Sequence, residues 1–172
     1  MSSLGQGGLG PPKVLVVAIG NPDRGDDGVG ALVATRLAGR LPSDVKLMSR
    51  HGDIISLIED WAGFDVVICI DAAEPSGTPG RIDRFHAGGL PRGASFASSH
   101  AFGLAETIAL AGALRSRPKT LIVYAIEGGC FDHGAALTPQ VVAAAAEVAD
   151  RVVAEVSRQG AFAARPLVEQ KG

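Results

Sequence analysis

The sequence has little of what marks many common protein classes. Its two cysteines, Cys69 and Cys130, stand far apart and in no redox or zinc-ligand spacing. That excludes a disulfide framework or a zinc knuckle, and a reducing cytoplasm suits the two thiols. The 16 Lys and Arg residues are balanced by 18 Asp and Glu, for a formal net charge of −2. Nucleic acid is therefore not an expected partner, because no basic cluster interleaved with aromatics is present to neutralise phosphates. Aromatic residues make up only 5% of the chain, with one Trp and one Tyr, so its core has to be built from Ala, Val, Leu and Ile. No apolar run approaches the roughly 20 residues of a membrane-spanning helix. Residues 1–12 are rich in Gly, Ser and Pro without a charged leader, and Val14–Ile19 is too short for a signal core. The expectation is a cytoplasmic protein with no membrane partner.

What is present is a chain of 172 residues, 47% hydrophobic, enough for one ordinary domain that buries about two-thirds of its extended-chain surface. The expected organisation is a flexible tail over 1–12, one α/β domain over 13–158, and a second flexible tail over 159–172. Val14–Ile19, Asp65–Asp71 and Thr120–Ile126 are continuous apolar runs, the pattern of strands covered on both faces. Val45–Met48 reads as a further strand. Gly80–Phe85 alternates apolar and polar residues, as a half-exposed edge strand does. Between them lie helical spacings: Val29 to Leu37, stopped at Gly39; Ile54 to Trp61, with Asp53 as N-cap; Ala101 to Leu114; and an Ala/Val-rich stretch from Thr138 to about Ser157, opened by Pro139. Strands alternating with helices predict an α/β three-layer sandwich, with a mostly parallel, about five-stranded twisted sheet and helices on both faces.

Ligands of such sheets sit outside the carboxyl ends of the strands. The first such end is Gly20-Asn21-Pro22-Asp23-Arg24-Gly25-Asp26-Asp27-Gly28-Val29-Gly30. Glycine-rich strand-to-helix loops cradle phosphate on backbone amides, but three Asp side chains repel it. A P-loop also needs Lys and Ser or Thr after its last glycine, where this chain has Ala31 and Leu32. A calcium loop fails too, since Gly25 falls at the third ligand position and Ala34 at the bidentate one. The loop suits a cation. Asp71 ends the central strand, Glu127 follows the late strand, and His100 precedes a helix from which it can reach the same end. Two carboxylates and an imidazole suit a borderline divalent ion such as nickel, zinc or iron. Three protein donors leave coordination positions open, as a catalytic or metal-handling site does and a structural site does not. No Gly-x-Ser-x-Gly elbow is present, and Ser98-Ser99-His100 gives no facing geometry for serine catalysis.

Four ordered segments resemble the hydrogenase maturation protease family, whose members trim the C-terminal extension of a [NiFe]-hydrogenase large-subunit precursor. They are Gly20-Asn21 with Gly25-Asp26-Asp27-Gly28-Val29-Gly30; Ile70-Asp71-Ala72; Ser99-His100 leading to Leu104; and Tyr124-Ala125-Ile126-Glu127 followed by Leu137-Thr138-Pro139. The resemblance implies an endopeptidase in which Asp27, Asp71 and His100 contact the metal and serve catalysis. It further implies that the metal is nickel already inserted in the precursor and held mainly by the precursor's cysteine thiolates. The enzyme then keeps no tightly bound metal of its own, with zinc or cadmium only adventitious occupants. Its partner is the large-subunit precursor. The chain itself is expected to be a monomer by default, not through the resemblance. The alternative in another class is a non-catalytic nickel-binding or precursor chaperone on the same fold. Many relatives carry Asp-Gly-Gly or Asp-x-Gly after the second strand. This chain has Ser49-Arg50-His51-Gly52-Asp53, so an acidic role there passes to Asp53 or is absent.

Other acidic and ligand-type residues have plainer readings. Asp26 is either a supporting site residue or a helix cap and hydrogen-bond partner. Glu127 is either a supporting site residue or a structural ion pair at the sheet end. His51, His86 and His133 read as surface or loop residues, Cys69 as inert core and Cys130 as a loop thiol. Gly28 is expected to need a positive φ or a close backbone contact.

Overall fold

The chain is described here by a computed structural model covering residues 10–87 and 103–163. Its strands are β1 (Val14–Ile19), β2 (Lys46–Arg50), β3 (Val66–Ala73), β4 (Ile82–His86) and β5 (Thr120–Glu127). They form one sheet in the order β2-β1-β3-β5-β4, parallel throughout except for β4, which runs antiparallel to β5 at the edge. The three continuous apolar runs are the three central strands. Every residue of β1 is buried, and all of β3 but its last, as sheets covered on both faces require.

Side-chain alternation splits each central strand between two cores. Val14, Val16, Ile68, Ile70, Ile122 and Tyr124 face helices α1 (Val29–Leu37) and α4 (Pro139–Ala163). Leu15, Val17, Val67, Cys69, Leu121 and Val123 face α2 (Leu57–Asp60) and α3 (Leu104–Ala113). The result is the three-layer arrangement expected from the alternation of elements. Among the described residues no helix is long and apolar enough to cross a membrane.

Three helices differ from the sequence reading. Helix α3 starts at Leu104 and not at Ala101, because Gly103 before it is extended backbone (φ −87°, ψ −179°). Helix α2 is shorter than Ile54–Trp61, because the Asp53 carboxylate accepts the N–H groups of Ile55 (3.1 Å) and Ser56 (3.4 Å) and the Ser56 hydroxyl. Asp53 thus caps a turn that precedes the regular helix. Helix α4 runs on to Ala163, through Gly160, instead of ending near Ser157. Arg158 and Gln159 both donate to Glu155 one turn back, at 2.9 and 3.4 Å, and such pairs support the last turns of a helix. The first part of the stretch expected to be a tail, from residue 159, is therefore helical. Residues 1–9 and 164–172 lie outside the described residues.

Candidate functional site

The acidic loop is shaped by close backbone approach. Gly20 has φ +127°, and a Cβ there would lie 2.0 Å from the Asp27 carbonyl oxygen. At Gly30 a Cβ would lie 2.4 Å from the Ile19 carbonyl oxygen. These two glycines let the loop fold back on the end of β1 and let α1 start directly against it. Gly28 makes the close contact expected of it, 3.0 Å from a built Cβ to Pro22 Cα, but its φ is −78°. The positive φ belongs to Gly20 and Gly25 (+50°) instead.

Asp26 and Asp27 sit in a 3-10 turn, Gly25–Gly28, and both are buried. Their side chains part company. One Asp26 oxygen accepts the N–H groups of Gly129 (2.7 Å) and Cys130 (3.0 Å), and the other accepts that of Thr138 (2.7 Å). The Thr138 hydroxyl lies 3.0–3.2 Å from the same carboxylate. Asp26 is therefore a latch that ties the acidic loop to the segment before α4. Cys130 contributes through its backbone, which both donates to the Asp26 side chain and accepts the Asp26 N–H at 2.8 Å.

Asp27 faces the carboxyl end of the sheet. Its Oδ2 accepts the Asn21 N–H at 3.1 Å and lies 3.5 Å from Arg24 Nη1. The 3-10 turn packs on β3, which brings Asp27 near enough to act on Asp71 through its charge. Asp71 continues the Val67, Cys69 alternation, so it leaves the strand on the α2/α3 side. It is 1% exposed, and its Oδ1 accepts the Ala72 N–H at 2.9 Å. Its Oδ2 is buried and has no hydrogen-bond partner among the described residues. Burial first, and then the Asp27 charge, push the Asp71 carboxyl up to about 8. A cation between the two would satisfy the orphan oxygen and let both carboxylates ionise together.

The remaining candidates fall outside this pair. Glu127 is 1% exposed, but its carboxylate is spent on the loop after β3: it accepts Ser76 N–H (2.6 Å), Ser76 O–H (2.7 Å) and Thr78 N–H (2.7 Å). Burial alone would raise its pKa, but these hydrogen bonds and Arg81 outweigh it and hold the carboxyl at about 2. Cys69 is buried and its thiol is pushed up by burial and by Asp71, as inert core should be. His51, His86 and His133 are exposed. The His100 expectation lies outside the described residues. Among those residues no three His, Cys, Asp or Glu side chains form a group that could hold a metal ion. A surface cavity of about 430 Å³ lined by His86, Arg117 and Lys119 reaches Thr120, the opposite end of β5 from the acidic pair.

Two features escaped the sequence reading. One is Arg24, whose place three residues before Asp27 was the available signal. The other is the buried Glu155 on α4, which accepts from Arg84 (3.0 Å) and Tyr124 (3.3 Å) across the sheet. Nothing local in the sequence pairs those three residues.

The family model described as hydrogenase maturation protease matches residues 33–155. The chain belongs to the hydrogenase maturation protease family. That match begins past the acidic loop, so it spans Asp71 and His100 but not Asp27. The chain is 32% identical over 135 residues to the hydrogenase expression/formation protein HupD of Thiocapsa roseopersicina, covering 76% of this chain and 61% of HupD. It thus spans about three-fifths of that relative's length. Among solved structures, the hydrogenase maturating endopeptidase HybD from E. coli superposes with a TM-score of 0.72 at 23% identity, over 86% of this chain and 94% of HybD. The [NiFe] hydrogenase maturation protease HybD from Thermococcus kodakarensis gives 0.62 at 26% identity, over 82% of this chain and 99% of the other. Membership of this family accords with the five-stranded, mostly parallel sheet flanked by helices on both faces.

Proposed function

We propose that this protein is an endopeptidase that removes the C-terminal extension of a [NiFe]-hydrogenase large-subunit precursor once nickel has been inserted. It acts in the cytoplasm as a monomer and recognises nickel as part of its substrate. The observation that carries the reading is the Asp71 Oδ2 atom, buried and without a hydrogen-bond partner among the described residues, beside the charge of Asp27 at the carboxyl end of the sheet.

In this reading Asp27 and Asp71 offer oxygen donors to the nickel, and His100, four residues before α3, offers the nitrogen. Two carboxylates and one imidazole are too few to close a coordination sphere. The precursor's own ligands supply the rest, so stable engagement requires a nickel-loaded partner. Peptide hydrolysis then needs the scissile carbonyl polarised and a water deprotonated. Without a cation, burial and Asp27 push the Asp71 carboxyl up to about 8; nickel beside it would favour the carboxylate, the form that ligates an ion or takes a proton from water. Asp26 and Glu127 serve from behind, by holding the loops that carry and flank the pair.

The decisive experiment is mass spectrometry of a large-subunit precursor, with and without nickel, after incubation with the wild-type protein and with Asp27→Ala, Asp71→Ala and His100→Ala. Loss of a C-terminal peptide is expected only with nickel and only with wild type. A stable complex whose precursor stays intact would sink the protease reading and identify a chaperone. Wild-type cleavage by all three variants would remove the proposed site.

A further inference from the structure

Arg24 stands beside Asp27, and its contact there differs from the ion pairs of other arginines in this chain. Its backbone is fixed on both sides: its N–H donates to the Asn21 carbonyl at 3.2 Å, and its carbonyl accepts the Asp27 N–H at 3.0 Å. The guanidinium is thereby aimed at the residue three positions on, with Nη1 3.5 Å from Asp27 Oδ2. Nη1 is buried and has no hydrogen-bond partner among the described residues.

Other arginines of this chain show what a stabilising ion pair looks like here. Arg50 places both Nε, at 2.8 Å, and Nη2 on Asp60. Arg84 places Nε at 3.0 Å and Nη2 at 2.9 Å on Glu155. In both, two guanidinium nitrogens close on one carboxylate oxygen, and at least one of them makes a charge-assisted hydrogen bond. Arg24 stops short of a hydrogen bond and leaves a buried N–H unmet, which costs stability. An arginine kept in such a contact contributes charge instead of an anchor.

From this geometry we infer that Arg24 is a selectivity residue: its guanidinium is the resident counter-cation of Asp27 and competes with free divalent ions for the acidic pair. Any ion that binds Asp27 and the orphan oxygen of Asp71 must displace or share the site with that positive charge. A hydrated ion from solution has only the few donors of this chain to set against the repulsion. An ion already held in a protein brings the whole docking surface of that protein, so it overcomes the barrier more readily. Arg24 thus biases the site toward metal presented by a partner and against metal in solution. The inference rests on the reading above only for the identity of that partner-held ion.

The test is calorimetric titration of Zn²⁺, and separately Ni²⁺, into the wild-type protein, Arg24→Gln, Arg24→Lys and the double variant Arg24→Gln/Asp71→Asn. Arg24→Gln should bind Zn²⁺ about tenfold more tightly than wild type, a modest share of the coupling between unit charges this close. Arg24→Lys keeps the charge and should stay near wild type. The double variant should lose the gain. Unchanged zinc affinity in Arg24→Gln, accompanied only by a lower unfolding temperature, would make Arg24 a structural residue and overturn the inference. So would a gain shared by Arg24→Lys, or one that survives Asp71→Asn. Precursor cleavage by wild type is scored separately: its absence alongside the zinc gain would sink the protease reading and leave the competition at the acidic pair standing.

Discussion

The carboxylate of Asp26 accepts the backbone N–H of Thr138 at 2.7 Å, across 112 positions of sequence. With the Gly129 and Cys130 N–H groups on its other oxygen, this single buried side chain fastens the acidic loop to the segment that launches α4. Its neighbour Asp27 is left to face the sheet end. Adjacent aspartates therefore divide the labour, one holding the loop and the other presenting charge.

Asp26→Ala should accordingly destabilise the protein by about 2–3 kcal/mol, because it strands N–H groups that a charged acceptor satisfied. Urea unfolding measures this. A midpoint equal to wild type would show that the latch is not what holds the loop.

Asp71→Asn should behave in the opposite way. Its carboxyl is buried, lacks a partner on Oδ2 and is pushed up by its own burial and by Asp27, so the site stores unfavourable electrostatics at the native state's expense. Replacing it by a neutral isostere should leave stability equal or raise it by about 1 kcal/mol, while precursor processing is lost. A clear fall in the unfolding midpoint would mean that Asp71 is a structural residue with partners that hold it.

Much of this division could be read in the sequence, and some could not, for a physical reason. The buried central strands announced themselves because strands covered on both faces must be apolar throughout, and Asp71 stood out as a charge at the end of one. The acidic loop was legible because its glycines and aspartates are contiguous. Partners distant in sequence were not. Asp26 was left between cap and site residue, since only the folded chain brings Thr138 beside it. Glu155, Arg84 and Tyr124 meet across 71 and 31 positions, and no local spacing encodes that. The extent of α4 was missed because Gly160 reads as a stop, whereas the Glu155 pairs with Arg158 and Gln159 carry the helix past it.

Gly30→Ala should be far more damaging than its size suggests. A Cβ at that position would stand 2.4 Å from the Ile19 carbonyl oxygen and 2.9 Å from its nitrogen, both atoms of a central strand that cannot shift without disturbing the sheet. Forcing α1 away from β1 should cost about 2–4 kcal/mol. It should also displace the turn that carries Asp27, so processing should fall even at temperatures where the variant remains folded. Wild-type stability would mean that the helix can slide outward freely.

Glu127 supplies the pH dependence. Its burial favours the neutral acid, but the Ser76 and Thr78 hydrogen bonds and Arg81 favour the carboxylate more, and they bring it from an ordinary 4.5 to about 2. A depressed carboxyl stabilises the native state fully above its unfolded value. Between about 4.5 and about 2 the unfolded chain binds the extra proton, so stability falls as the pH is lowered through that window. Glu127→Gln removes the charge and with it this share of the dependence. The variant should be less stable than wild type at neutral pH, because the 74–81 loop loses its charged acceptor, and the gap should close as the pH drops toward 2. Unfolding midpoints of both proteins followed from pH 7 downward measure it. A gap that stays constant across the whole range would mean that the hydrogen bonds, and not the charge they surround, hold the loop.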